Sequence, residues 1–141
     1  MRIKILNILI GALLALSLSG CGDTQNQMTV QNSGFTKSSL TRPFSDMLYG
    51  FAKIEKYVAR GDYKSAKTIS KNLYDEFHDT ILPSLAAKKG HQYAEDIHAK
   101  YDELEEAIRN KDKEKITELV NVNRNNLKTI APMLGVSLIS L

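Results

Sequence analysis

A single cysteine, Cys21, stands in the whole chain, so no intramolecular disulfide can staple it. Exported domains of this size often depend on such staples. Helix packing or a partner must therefore supply the stability. Tryptophan is absent and only three prolines interrupt 141 residues. With helix formers dominating, that scarcity predicts an all-α fold. The longest apolar run, Ile5 to Leu18, falls short of the ~20 residues that cross a bilayer comfortably. Charge of one sign is not in excess either, with 19 basic against 16 acidic side chains. That balance excludes a polyelectrolyte and argues against nucleic-acid binding. There is no serine elbow, no glycine-rich phosphate loop, no HExxH and no CxxCH, so the chain does not read as an enzyme. Haem held without covalent links would need inward Met or His ligands. Met47 and His78 are the conceivable pair, but His78 sits beside the apolar stripe of its helix.

What is present begins with an export signal. Met1-Arg2-Ile3-Lys4 is a basic head, Ile5 to Leu18 an apolar run broken only by Asn7 and Ser17, and Leu18-Ser19-Gly20-Cys21 follows. This resembles the lipobox of bacterial lipoproteins. The resemblance implies that residues 1–20 are a signal peptide and that Cys21 carries acyl chains such as palmitate. Cysteine suits that role because its thiolate is the nucleophile, and two or three chains anchor stably where one would be marginal. Gly22 follows Cys21, with Asp23 one place later, so the signal that retains many lipoproteins in the inner membrane is missing. The expected site is the outer membrane of a diderm, or the outer face of the cell membrane of a monoderm. Loss of Arg2 and Lys4 leaves 17 basic against 16 acidic side chains, close to neutral.

Residues 21–40 then form a lipidated cysteine and a polar tether without apolar period, reaching roughly 25 Å on average. A helical domain is expected over 41–135 and a C-terminal tail over 136–141. The first helix runs from Thr41, its expected cap, to Arg60, with Pro43 in the first turn and Phe44, Met47, Leu48, Phe51, Ile54 and Val58 at helical spacing. Gly61 ends it, and Asp62 caps a second helix with the stripe Tyr63, Ala66, Ile69, Leu73, Phe77 and Ile81, which Pro83 should end or kink. After Gly90, a third helix aligns Ala94, Ile97, Tyr101, Leu104 and Ile108. The turn Asn110-Lys111-Asp112 leads to a fourth, with Ile116, Leu119, Val120, Leu127, Ile130 and Leu134, weakened at its end by Pro132 and Gly135. An offset of 50 pairs Phe51 with Tyr101, Ile54 with Leu104, Val58 with Ile108 and Asp62 with Asp112. The expected architecture is two αα-hairpins, each with an apolar face it cannot bury alone, closed into a four-helix bundle.

On the third helix His91, Glu95, His98 and Asp102 fall on one line, about 120° from its apolar stripe. Two imidazoles and two carboxylates are ligands for Zn²⁺ or iron. All four cannot reach one ion, because the line is about 16 Å long. Adjacent pairs could, helped by His78 with Asp75 or Asp79; a solvated flank of His–acid pairs is the plainer reading. Lys53, Lys56, Arg60, Lys64, Lys67 and Lys71 make the first hairpin basic. Glu95, Asp96, Asp102, Glu103, Glu105 and Glu106 make the third helix acidic. Anionic lipid contact, a dipolar partner surface or attraction between the hairpins would each account for this. The segments ARGDYKSAKTISKNLYDEFHDTILPSL and YDELEEAIRNKD, within residues 51–115, resemble the helical extracytoplasmic domain of bacterial high-affinity iron permeases. That resemblance implies metal handling, without the permease's membrane part. Three functions stay open: a lipid-anchored interaction module with an envelope protein partner, an extracytoplasmic iron- or zinc-binding protein, and a phage or plasmid exclusion lipoprotein.

Overall fold

In the computed structural model, residues 39–138 are described; the expected signal, Cys21, the tether through 38 and the last three residues lie outside them. Four helical rods make up this part: α1 (Thr41–Ala59), α2 (63–89), α3 (His91–Arg109) and α4 (Lys113–Met133). The second is α-helical over Tyr63–Glu76 and Leu82–Lys89, with a π turn over Phe77–Ile81 between. No strand occurs among the described residues. α1 packs on α2, α2 on α3, α3 on α4 and α4 on α1, which closes an all-α four-helix bundle.

The expected apolar stripes meet inside. Phe44, Met47, Phe51 and Ile54 of α1, Phe77 and Ile81 of α2, Leu104 of α3, and Ile116, Val120 and Leu127 of α4 are fully buried. α1 and α2 approach so closely at Gly50 that a Cβ there would lie 2.6 Å from Leu73 Cδ2. Between the hairpins, the Arg124 guanidinium donates both arms to Glu55 at 2.8 and 2.6 Å. Asn123, fully buried on α4, donates to the Lys100 carbonyl of α3 at 3.0 Å. A buried amide of this kind fixes the register of two apolar surfaces that could otherwise slide.

The two hairpin turns share the same pair of closing bonds at the offset of 50. Gly61 N–H donates to the Val58 carbonyl and Asp62 N–H to that of Tyr57. Lys111 N–H donates to Ile108 and Asp112 N–H to Ala107. This is the Schellman ending, which needs a left-handed residue at its penultimate position. Gly61 takes that conformation at φ +74, whereas Lys111 is forced into it at φ +58. Asp62 and Asp112 then cap the next helix, each accepting from the backbone N–H three residues on, Ser65 and Lys115, at 3.0 Å.

Three expectations need correction. Thr41 does not cap α1: the cap position is Leu40, in helical backbone, with no side-chain cap bond. Pro83 does not end α2. Its ring and missing N–H conflict with the turn before it, and the helix widens there instead: Leu82 N–H reaches back five residues to the Phe77 carbonyl. The rod then continues to Lys89. Finally, the core does not stop at 135. A third Schellman ending, Val136 N–H to the Ala131 carbonyl at 2.8 Å, folds Val136 into the core, and Leu40 and Leu138 pack against it.

Lys111→Gly relieves a left-handed side chain that costs about 1–2 kcal/mol, offset in part by glycine's greater freedom when unfolded. Thermal melting should therefore show a gain of about 0.5–1 kcal/mol; a loss would mean the Lys111 side chain matters more than its backbone. Leu104→Ala should cost about 2–5 kcal/mol in the same assay, as a cavity in a filled core does.

Candidate functional site

The line His91, Glu95, His98 and Asp102 is present on α3 but is not a uniform solvated flank. The His91 side chain is 81% exposed and Glu95 is half-exposed, while His98 is 7% exposed. His91 Nε2 lies 3.6 Å from one Glu95 oxygen and His98 Nδ1 3.4 Å from the other. Asp102 is exposed and one turn beyond His98. Glu95 thus sits between the imidazoles, and the line reads as two His–acid pairs. No group of three or more His, Cys, Asp or Glu close enough to hold an ion occurs among the described residues. Met47 is buried and His78 exposed, so the conceivable haem pair does not share one environment.

His98 is buried because one face of α2 packs its aromatic rings against α3. Its ring centroid lies 4.6 Å from Tyr74, 5.1 Å from His78 and 5.9 Å from Phe77. Phe77 in turn stacks on Tyr101 at 4.7 Å, and Tyr101 meets Phe51 of α1 at 6.0 Å. One aromatic column therefore joins three helices. Burial pushes the Tyr101 phenol well above its ordinary pKa. Tyr74 is raised too, first by desolvation and then by the carboxylates Asp102, Glu105 and Glu95. Three buried polar atoms have no hydrogen-bond partner among the described residues: His98 Nε2, the Tyr101 hydroxyl and Asn123 Oδ1. Tyr74, Phe77 and His78 share one face of α2 at i, i+3 and i+4, but Tyr74 and His78 lie beside its main apolar stripe, so helical spacing alone does not show that they meet His98.

The basic stripe divides into two. On α2, Lys71 binds Asp75 at 2.8 Å, and its ammonium is held protonated by that bond first and by Glu105 of α3 as well. That pair lies within α2, and Glu105 of α3 adds only a smaller effect. On α1, Lys53, Lys56 and Arg60 have no carboxylate partner among the described residues. They share the outward side of the helix with Tyr49, which at 63% is the one large apolar side chain exposed among the described residues. The Lys53 ammonium rests 4.5 Å over the Tyr49 ring. Open grooves run along both flanks of Tyr49, one lined by Gly50, Ile69, Asn72 and Leu73, the other by Leu48, Arg124 and Lys128. The spacing 49, 53, 56, 60 is a readable helical stripe; Tyr49 escapes a reading that scores only charges or only core positions.

No protein family, curated protein or solved structure matches the chain.

The unpartnered Tyr101 hydroxyl gives a direct test of whether the interior has a polar task. A buried group with no partner costs about 1–3 kcal/mol relative to its absence. Tyr101→Phe should therefore melt at the same temperature as the parent or higher. A loss above about 1 kcal/mol would show that the hydroxyl is engaged.

Proposed function

We propose that the protein is a lipid-anchored, extracytoplasmic envelope lipoprotein whose helical bundle is a non-catalytic binding module. Cys21 carries the anchor, and the domain acts through its surface. The observation that carries this reading is the contrast between the inside and the outside of the bundle. The interior is filled by aliphatic and aromatic side chains, and the described pockets are open surface grooves lined mostly by α1 and its neighbours. Meanwhile an exposed tyrosine sits among unpaired cations on the outside. Exposed aromatic and cationic groups together favour recognition rather than chemistry.

A second reading has one observation in its favour. His98 is buried with a free Nε2, and His78 lies beside it. An iron or zinc ion held there, with Glu95, His91 or Asp102 in support, would stabilise the fold by mass action. The binding-module reading expects no such effect: micromolar Zn²⁺ or Fe²⁺ added to chelator-stripped protein should leave the melting temperature unchanged at neutral pH. A rise that disappears in His98→Ala would favour the metal reading instead.

The anchor is tested separately. Cys21→Ala should leave an uncut precursor without acyl mass, whereas the parent should begin at an acylated Cys21 in mass spectrometry. A parent cut elsewhere and bearing no acyl chain would overturn the lipoprotein reading.

A further inference from the structure

We propose that the outward face of α1 docks on an anionic phospholipid surface, laying the helix along the bilayer with Tyr49 at the level of the headgroups. This rests on the lipid-anchored reading above and names what the exposed surface meets. Arg42, Tyr49, Lys53, Lys56 and Arg60 fall within about 60° of one another around the helix, at 100° per residue. They point away from Phe44, Met47, Phe51 and Ile54, which fill the core. On α1 the only acid of that face is Asp46, 3.5 Å from Arg42, and Glu76 of α2 lines the groove beside Tyr49 and Lys53. Lys53, Lys56 and Arg60 form no ion pair among the described residues.

The form of the face selects lipid over protein. Protein interfaces are depleted in lysine and place their anchors in fitted pockets. Here two of the three free cations are lysines, strung along one line beside open grooves. A bilayer makes no demand for register. It asks only for delocalised positive charge, contributed cation by cation, and for an amphipathic ring at the interface. Tyr49 supplies the ring, and Lys53 already holds its ammonium over it, where a phosphate can bind without rearrangement. Geometry agrees. The anchor's chain enters at the N-terminus of α1, the helix that carries the face. Tethering turns a weak surface contact into an intramolecular one with high effective concentration.

The absence of tryptophan makes the test clean. Tyr49→Trp places a single fluorophore on the face. The full lipidated chain is reconstituted in vesicles of phosphatidylcholine alone and of phosphatidylcholine with phosphatidylglycerol. Emission should shift to the blue and be quenched by brominated lipid only in the anionic vesicles, and ~0.5 M salt should reverse both changes. Each neutralised cation should lower the docking equilibrium constant about fivefold, so Lys53→Gln, Lys56→Gln and Arg60→Gln together, about a hundredfold, should abolish the shift. These positions are outside the core, so a helical circular dichroism spectrum should confirm that the variant is folded. Glu106→Trp, on the exposed side of α3, should stay water-like throughout. Identical emission from the Tyr49→Trp chain in the two vesicle types, or a shift that survives the triple variant, would overturn docking. Failure of the chain to float with neutral vesicles would instead overturn the anchor, which the fluorescence does not read.

Discussion

Everything else in the described domain depends on joining two hairpins across one aromatic column. Tyr101 of α3 lies between Phe51 of α1 and Phe77 of α2, in ring contact with both, and each is buried. Rings of this size bury ~150–250 Å² each and gain further from tilted and offset contact. Without disulfides, this contact and the aliphatic stripes around it must offset the entropy of ordering about 100 residues. Neither hairpin can do so alone, because each would expose half of the column. Across the hairpins the bidentate Arg124–Glu55 pair then favours one register, and within the second hairpin Asn123 fixes α4 against α3 through the Lys100 carbonyl.

The bundle was legible because its signals are local and periodic. Phe44, Phe51, Ile54, Tyr101, Leu104 and Ile116 occupy positions that helical spacing assigns to the core, and they are there. The offset of 50 was visible in a handful of apolar pairs. At the turns it becomes a shared hydrogen-bond pattern, extending to a lysine in the place of a glycine. Asp62 and Asp112 were readable as caps for the same reason: the bond they make closes within three residues.

What escaped the sequence depends on distant partners. Pro83 is a helix breaker by local rules, yet α2 packs along α3 on both sides of it, and that burial is enough to carry the helix through a π turn. The neighbouring rings Tyr74, Phe77 and His78 of α2 are what enclose His98. By helical angle alone His98 belongs to a solvated line with His91 and Asp102, and only the neighbouring helix decides that it is buried. Leu40 and Val136 were assigned to the tether and the tail. Burial at the ends of a bundle is set by the loops that fold over it and not by periodicity.

The surface follows from the same packing. Lys71 of α2 is paired with Asp75 of its own helix, whereas Lys53, Lys56 and Arg60, around Tyr49, have no carboxylate partner among the described residues. Under the proposed docking, it is this face of α1, with its exposed ring and unpaired cations, that meets the bilayer. The domain's lack of cysteine after Cys21 permits the most direct measurement of that claim. Single cysteines at positions 49, 56 and 60 of α1, and at 96, 106 and 114 on the opposite hairpin, are reacted with a membrane-impermeant maleimide in native membranes and again in detergent. The account predicts slow labelling of the α1 positions in membranes only, with the other three fast in both. Equal rates at all six positions in native membranes would contradict it.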